Sequence, residues 1–169
     1  MSLFYKGGKI GPLRGGVENI EATLVSIFPL EFYLTEVPLS LQASGKSKER
    51  WKTTVADAVN RRVEEMETFI WLENDPVSVT IFYFPVARMA GDIDNIVKPI
   101  LDALNCHAYR DDNLVERVVS QKFEPQVSWE FKSPSAQLTG ALDAISMADE
   151  RQPVVYIRID DDLSWRTHA

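Results

Sequence analysis

Residues 77 to 84, VSVTIFYF, constrain the fold most tightly. Nearly all are β-branched or aromatic, the side chains that suit an extended strand. Both faces of such a strand are largely apolar. A strand with one wet face would alternate apolar and polar, so this run predicts a central strand. The chain must therefore supply partner strands on both of its edges.

Other segments fill that requirement. LEFYLTEV, residues 30 to 37, places Phe32 and Leu34 on one face and Tyr33 on the other, and reads as a strand. Pro38 and Gly45 punctuate the polar loop PLSLQASGK. From Ser47 to Phe69 the period becomes helical. Trp51, Val55, Val59, Val63 and Met66 form one apolar stripe. The opposite face carries Lys48, Arg50, Lys52, Arg61, Arg62, Glu64 and Glu65. After Pro85 and Gly91, residues 94 to 105 predict a second helix that buries Ile96, Val97, Ile100, Leu101 and Leu104. Pro99 falls just past its first turn, where it removes one backbone bond and should bend the helix.

Residues 115 to 124 and 153 to 160 read as further strands, and 133 to 150 as a short helix with loops. The order predicts a mixed α/β or α+β domain, a mixed sheet packed by two main helices. A length of 169 residues suits one such domain. Residues 1–27 are expected to form an arm, 28–160 the domain, and 161–169 an acidic tail.

The chemistry concentrates in GDIDNIVKPILDALN, residues 91 to 105. Asp92 and Asp94 stand two apart at the mouth of the second helix. Two close carboxylates repel unless they share a cation or a proton. Oxygen donors of this kind suit Mg²⁺ or Mn²⁺, which keep some waters and complete their shell with substrate phosphate. Asp111 and Asp112 follow after a short turn. Lys98 lies four residues after Asp94, on the same helix face, where its ammonium can neutralise charge on a phosphoryl group. Asp102, four further on, can hold Lys98 in place. These parts fit metal-assisted phosphodiester hydrolysis. Each also has a plainer reading. Asp94 can be a helix cap, Asp111-Asp112-Asn113 a solvated turn, and Lys98–Asp102 a surface pair. Spacing alone does not choose between the two.

The same residues carry a resemblance. GDIDNIVKPILDALN followed by AYRDDNLVERV resembles the RusA family of Holliday junction resolvases, whose pattern is D-x-D-N-x-x-K-x-x-x-D-A-L, a short connection, then D-D and a strand. Asp92, Asp94, Asn95, Lys98, Asp102, Ala103, Leu104, Asp111 and Asp112 meet its fixed positions. A weaker likeness runs over about residues 28 to 160. The resemblance implies a homodimeric, Mg²⁺-dependent endonuclease of mixed fold that cuts four-way DNA junctions. It implies Asp92, Asp94 and Asp112 as metal ligands and Lys98 as the catalytic lysine. It gives Asp102 and Asp111 supporting acidic positions.

Charge sets the terms for DNA binding. The formal net charge is −7, so phosphate contacts must come from local patches. The candidates are Lys46, Lys48, Arg50, Lys52 and Arg88. Two further readings use the same acidic set: a non-catalytic metal- and DNA-binding module, and a metal-dependent hydrolase of small nucleotides. Trp51 reads as core. Cys106 and His107 are adjacent, which rarely closes one metal site. One cysteine, no signal-peptide pattern and no apolar run near the roughly 18 residues of a membrane helix point to the cytoplasm.

Overall fold

The computed structural model describes residues 27–39, 44–66, 75–89, 91–147 and 151–164. In chain order these form β1 (Leu30–Leu34), α1 (Gly45–Glu65), β2 (Val77–Phe84), α2 (Asp94–Leu104), a 3-10 turn (Asp112–Leu114), β3 (Val115–Lys122), α3 (Ala136–Met147) and β4 (Val154–Asp160). The expected arm, save Ile27, lies outside the described residues, as do the last residues of the tail and of the first expected helix.

The strands make one sheet in the order β1-β4-β2-β3. Strand β4 runs antiparallel to both of its neighbours, with Phe32 opposite Ile157 and Ile81 opposite the same residue on the other side. Strands β2 and β3 are parallel, so α2 serves as the crossover that parallel strands require. The register skips Glu116, leaving a bulge at the start of β3. VSVTIFYF is indeed central, lying between β4 and β3.

The two faces of β2 explain the layers. Val77, Val79, Ile81 and Tyr83 enter one core, together with Trp51, Val55, Val59 and Val63 of α1 and Ile96, Ile100 and Leu104 of α2. Ser44 starts α1 earlier than the apolar stripe suggests, because its hydroxyl accepts the Ser47 amide at 3.4 Å. Phe84, Leu138, Ala141, Val154 and Tyr156 form a second core, with Tyr33, Phe82, Phe123 and Phe131 packed against it. Helix α3 thus covers the face that α1 and α2 leave bare. The two main helices expected are α1 and α2, and α3 is the short helix expected within residues 133 to 150. The fold is a single-domain α+β sheet with both faces clothed.

One charged group enters this second face. Arg158 of β4 bridges Glu31 of β1 and Asp160, and Glu31 is buried. A buried carboxylate needs such a partner, since desolvation without one is costly.

Candidate metal and nucleic-acid site

The acidic segment sets exposed polar residues on the outward side of α2, whose other side is buried. Ile96, Pro99, Ile100, Ala103 and Leu104 anchor α2 in the core. Val97 and Leu101 are only partly buried. Pro99 sits inside α2, and its ring nitrogen cannot donate to the Asn95 carbonyl. That leaves Asp94, Lys98 and Asp102 on the outward side, each four residues apart.

The helix start distinguishes the readings of Asp94. Ile93 occupies the cap position, and no side chain caps the helix. Asp94 is the first helical residue, where its charge favours the positive end of the helix dipole. Its carboxylate, like those of Asp92 and Asp112, accepts no hydrogen bond and joins no ion pair among the described residues. The Asp92 backbone carbonyl takes the Asn95 amide at 3.2 Å.

Lys98 holds the middle of the arrangement. Its ammonium donates to Asp102 Oδ1 at 2.8 Å. The side chain is 63% exposed, so the pair adds little to stability. That hydrogen bond and the Asp102 charge, with a smaller push from Asp112, raise the Lys98 pKa above its ordinary value. Lys98 therefore stays fully cationic and lies within the field of two acids.

The two members of the Asp111-Asp112 pair do different work. Asp111 Oδ1 accepts the Asn113 amide at 3.0 Å and so caps the 3-10 turn. Asp112 is exposed, and its carboxylate accepts no hydrogen bond among the described residues. Tyr109 stands behind it. The ring is buried, and its hydroxyl donates to the Leu101 carbonyl at 2.9 Å. Burial raises the Tyr109 pKa above its ordinary value, helped by Asp112 and then Asp102. Tyr109 thus clasps the end of α2 to the turn that carries Asp112. Tyr109→Phe should cost about 1 kcal/mol by loss of one hydrogen bond. A thermal melt checks this, and a drop in Tm of a few degrees is expected.

The basic candidates divide. Lys48 and Lys52 of α1 share a small cleft with Pro99 and Asp102 of α2. Arg88 lines an open groove of about 590 Å³ that also holds Asp92 and Asn95. Lys46 and Arg50 are exposed on α1, and neither lines these two grooves. Trp51 is core, as its spacing predicts. Cys106 is exposed and takes a left-handed φ of 63° to close the turn after α2.

An aromatic group escaped the reading of the chain. Phe82, Phe84, Phe123, Trp129, Phe131 and Tyr156 pack ring to ring, with Phe84 and Phe123 stacked at 4.8 Å. The signal was present in FEPQVSWEF, residues 123 to 131, which is dense in aromatics and lies outside any strand or helix.

Residues 42–128 match the family model for Endodeoxyribonuclease RusA. This chain belongs to the RusA endodeoxyribonuclease family. The match spans slightly more than half of the chain and includes the whole acidic segment, Lys98 and the Asp111-Asp112 turn. The chain is also similar to calmodulin-binding protein 60 G of Arabidopsis thaliana, at 33% identity over 86 residues. That alignment covers 47% of this chain and 15% of the plant protein, so the chain spans only a small part of that relative.

A RusA-family chain invites a test of its fit to a divalent cation. Among the described residues, no three acidic, histidine or cysteine side chains are gathered closely enough to hold a metal ion. The donor chemistry nonetheless suits Mg²⁺ or Mn²⁺. Asp92, Asp94 and Asp112 offer only hard oxygen atoms, exposed and unengaged by any described partner. Mg²⁺ commonly needs only one or two carboxylates plus waters and phosphate.

Proposed function

We propose that this chain is a divalent-metal-dependent endodeoxyribonuclease that cuts branched DNA of the four-way junction class. The family match over residues 42–128 carries this reading. Asp92, Asp94 and Asp112 are the carboxylates that would hold Mg²⁺, with Mn²⁺ as a substitute. When bound, that cation supplies charge neutralisation at the scissile phosphate and a more acidic water.

The protein's own groups do the rest. Lys98 carries a permanent positive charge on the face of α2 shared with Asp94. There it stabilises negative charge that builds on the phosphoryl oxygens as the bond breaks. Asp102 holds the Lys98 ammonium on the outward face of α2 by a hydrogen bond of 2.8 Å. Asp111 shapes the turn from which Asp112 projects. Lys48, Lys52 and Arg88 border the acidic segment and are the preferred phosphate contacts. Lys46 and Arg50 extend that surface along α1. Each such contact adds salt-sensitive affinity.

Resolution of a junction needs two opposed cuts, and one chain carries one acidic set. The working form is therefore a homodimer. No described helix is long and apolar enough to cross a membrane.

A cleavage assay tests the reading. Labelled four-way junction, linear duplex and single strand are each offered to the purified protein with Mg²⁺, Mn²⁺ or EDTA. Paired nicks in the junction with either metal, and none in EDTA, are expected. Failure to cut any of the three in either metal would overturn the proposal in favour of a binding module.

A further inference from the structure

The aromatic group opens onto a groove of about 440 Å³, a size suited to a small ligand group. Phe84, Val86, Phe123, Trp129, Ile145 and Arg151 are among its walls. Trp129 is held in place by its neighbours, with ring centroids 5.3 Å from Phe84 and 5.6 Å from Phe123. Even so, 37% of Trp129 and 42% of Val86 remain exposed. A rigid, partly open indole in a groove is a ready stacking surface.

Its position links it to the acidic segment. Pro85 and Val86 line this groove and also the 590 Å³ groove that holds Arg88, Asp92 and Asn95. One ridge therefore separates the two. A DNA strand with a phosphate at Asp92 need only cross Pro85 and Val86 to reach Trp129. Charge argues in the same direction. Arg88 and Arg151 stand on the two rims, exposed, and neither joins an ion pair among the described residues. In a chain of net charge −7, two such cations favour an anionic occupant over an apolar peptide.

We propose that the Trp129 groove receives an unstacked base of the DNA strand that runs to Asp92, while Arg151 meets a neighbouring phosphate. The inference rests on the nuclease reading above and names a feature of its substrate. Base stacking on aromatic side chains tolerates any base, because every base has a π-face. It does require a base that is free of its own stack. Branched and single-stranded DNA present such bases, and continuous duplex does not. The groove would thus sort substrates by structure rather than by sequence.

Fluorescence anisotropy of the full chain in EDTA tests this without cutting. The probes are a labelled junction with one unpaired base, a single strand and a linear duplex. Trp129→Leu keeps an apolar side chain and removes the ring. It should weaken binding of the first two probes by about tenfold and leave the duplex unchanged. Trp129→Phe should restore most of the loss. Arg151→Gln should lower the salt dependence by about one phosphate contact. Val86→Gln, a neutral change at an exposed site on the ridge, should reproduce the selective loss if Trp129→Leu fails to fold.

Wild-type affinity for all three probes in folded Trp129→Leu or Val86→Gln would overturn the inference. So would an apolar peptide that binds the groove and is not displaced by single-stranded DNA. The two readings fail separately. If the wild type cuts no DNA yet Trp129→Leu still loses unpaired-base binding, the nuclease reading falls and the groove stands. If the wild type cuts and Trp129→Leu binds and cuts all forms unchanged, the groove alone is refuted.

Discussion

Asp94→Asn should leave the fold intact and lower metal-dependent cutting by at least about a hundredfold. The reasoning is geometric. Asp94 is exposed, does not cap its helix, and joins no described hydrogen bond or ion pair. Its removal therefore breaks no described hydrogen bond or ion pair and loses only a favourable charge at the helix start, worth about 0.3–1 kcal/mol. Loss of an outer-shell partner at a metal site already costs about 10- to 100-fold, and loss of a direct carboxylate should cost more. DNA binding in EDTA should hold steady or tighten, since one negative charge leaves the contact surface. The measurement is initial rate on a labelled junction across a Mg²⁺ titration, beside a melting curve. Cutting at wild-type rate by a folded Asp94→Asn would remove Asp94 from the site.

The largest effect on stability is expected at Ile100. Its side chain is fully buried, on the α2 face that packs against α1 and β2. Truncation to alanine loses the transfer free energy of the removed carbons and leaves a cavity, about 3 kcal/mol together. For a domain of this size that lowers Tm by roughly 6–12 °C. The residue stands on the opposite side of α2 from Lys98. Cutting below the new transition temperature should therefore remain within a few-fold of wild type. A melt and a rate measured at low temperature separate the two effects. An unchanged Tm would mean that α2 is not anchored through Ile100.

Much of this architecture can be read from local pattern, because pattern reports burial. The apolar faces of VSVTIFYF announced a strand covered on both sides. The four-residue spacing of Trp51, Val55, Val59 and Val63 announced α1 and its buried stripe. The acidic segment stood out because Asp92, Asp94 and Lys98 are close in sequence. What escaped depends on distant partners. Nothing local says that β4 lies between β1 and β2, or that α3 covers the second face. The ring-to-ring contacts join Phe82, Trp129 and Tyr156 from separate segments. The division of labour between Asp111 and Asp112 depends on one backbone amide, that of Asn113. Lys48 and Lys52 meet Asp102 only because α1 packs across α2.

The strand order also bears on how the chain is made. Strand β4 is the last of the described strands to leave the ribosome, yet it occupies the slot between β1 and β2. Until residue 160 is synthesised, β1 has no described strand neighbour and β2 has one open edge. The β2-α2-β3 unit with its carboxylates is complete earlier, but the sheet beneath it is not. Such an intermediate exposes unpaired strand edges and apolar surface of the kind that recruits chaperones or aggregates. Completion is therefore a late, single event. A ribosome-bound chain that already carries Asp92, Asp94 and Asp112 must still wait for β4 before the described sheet can close.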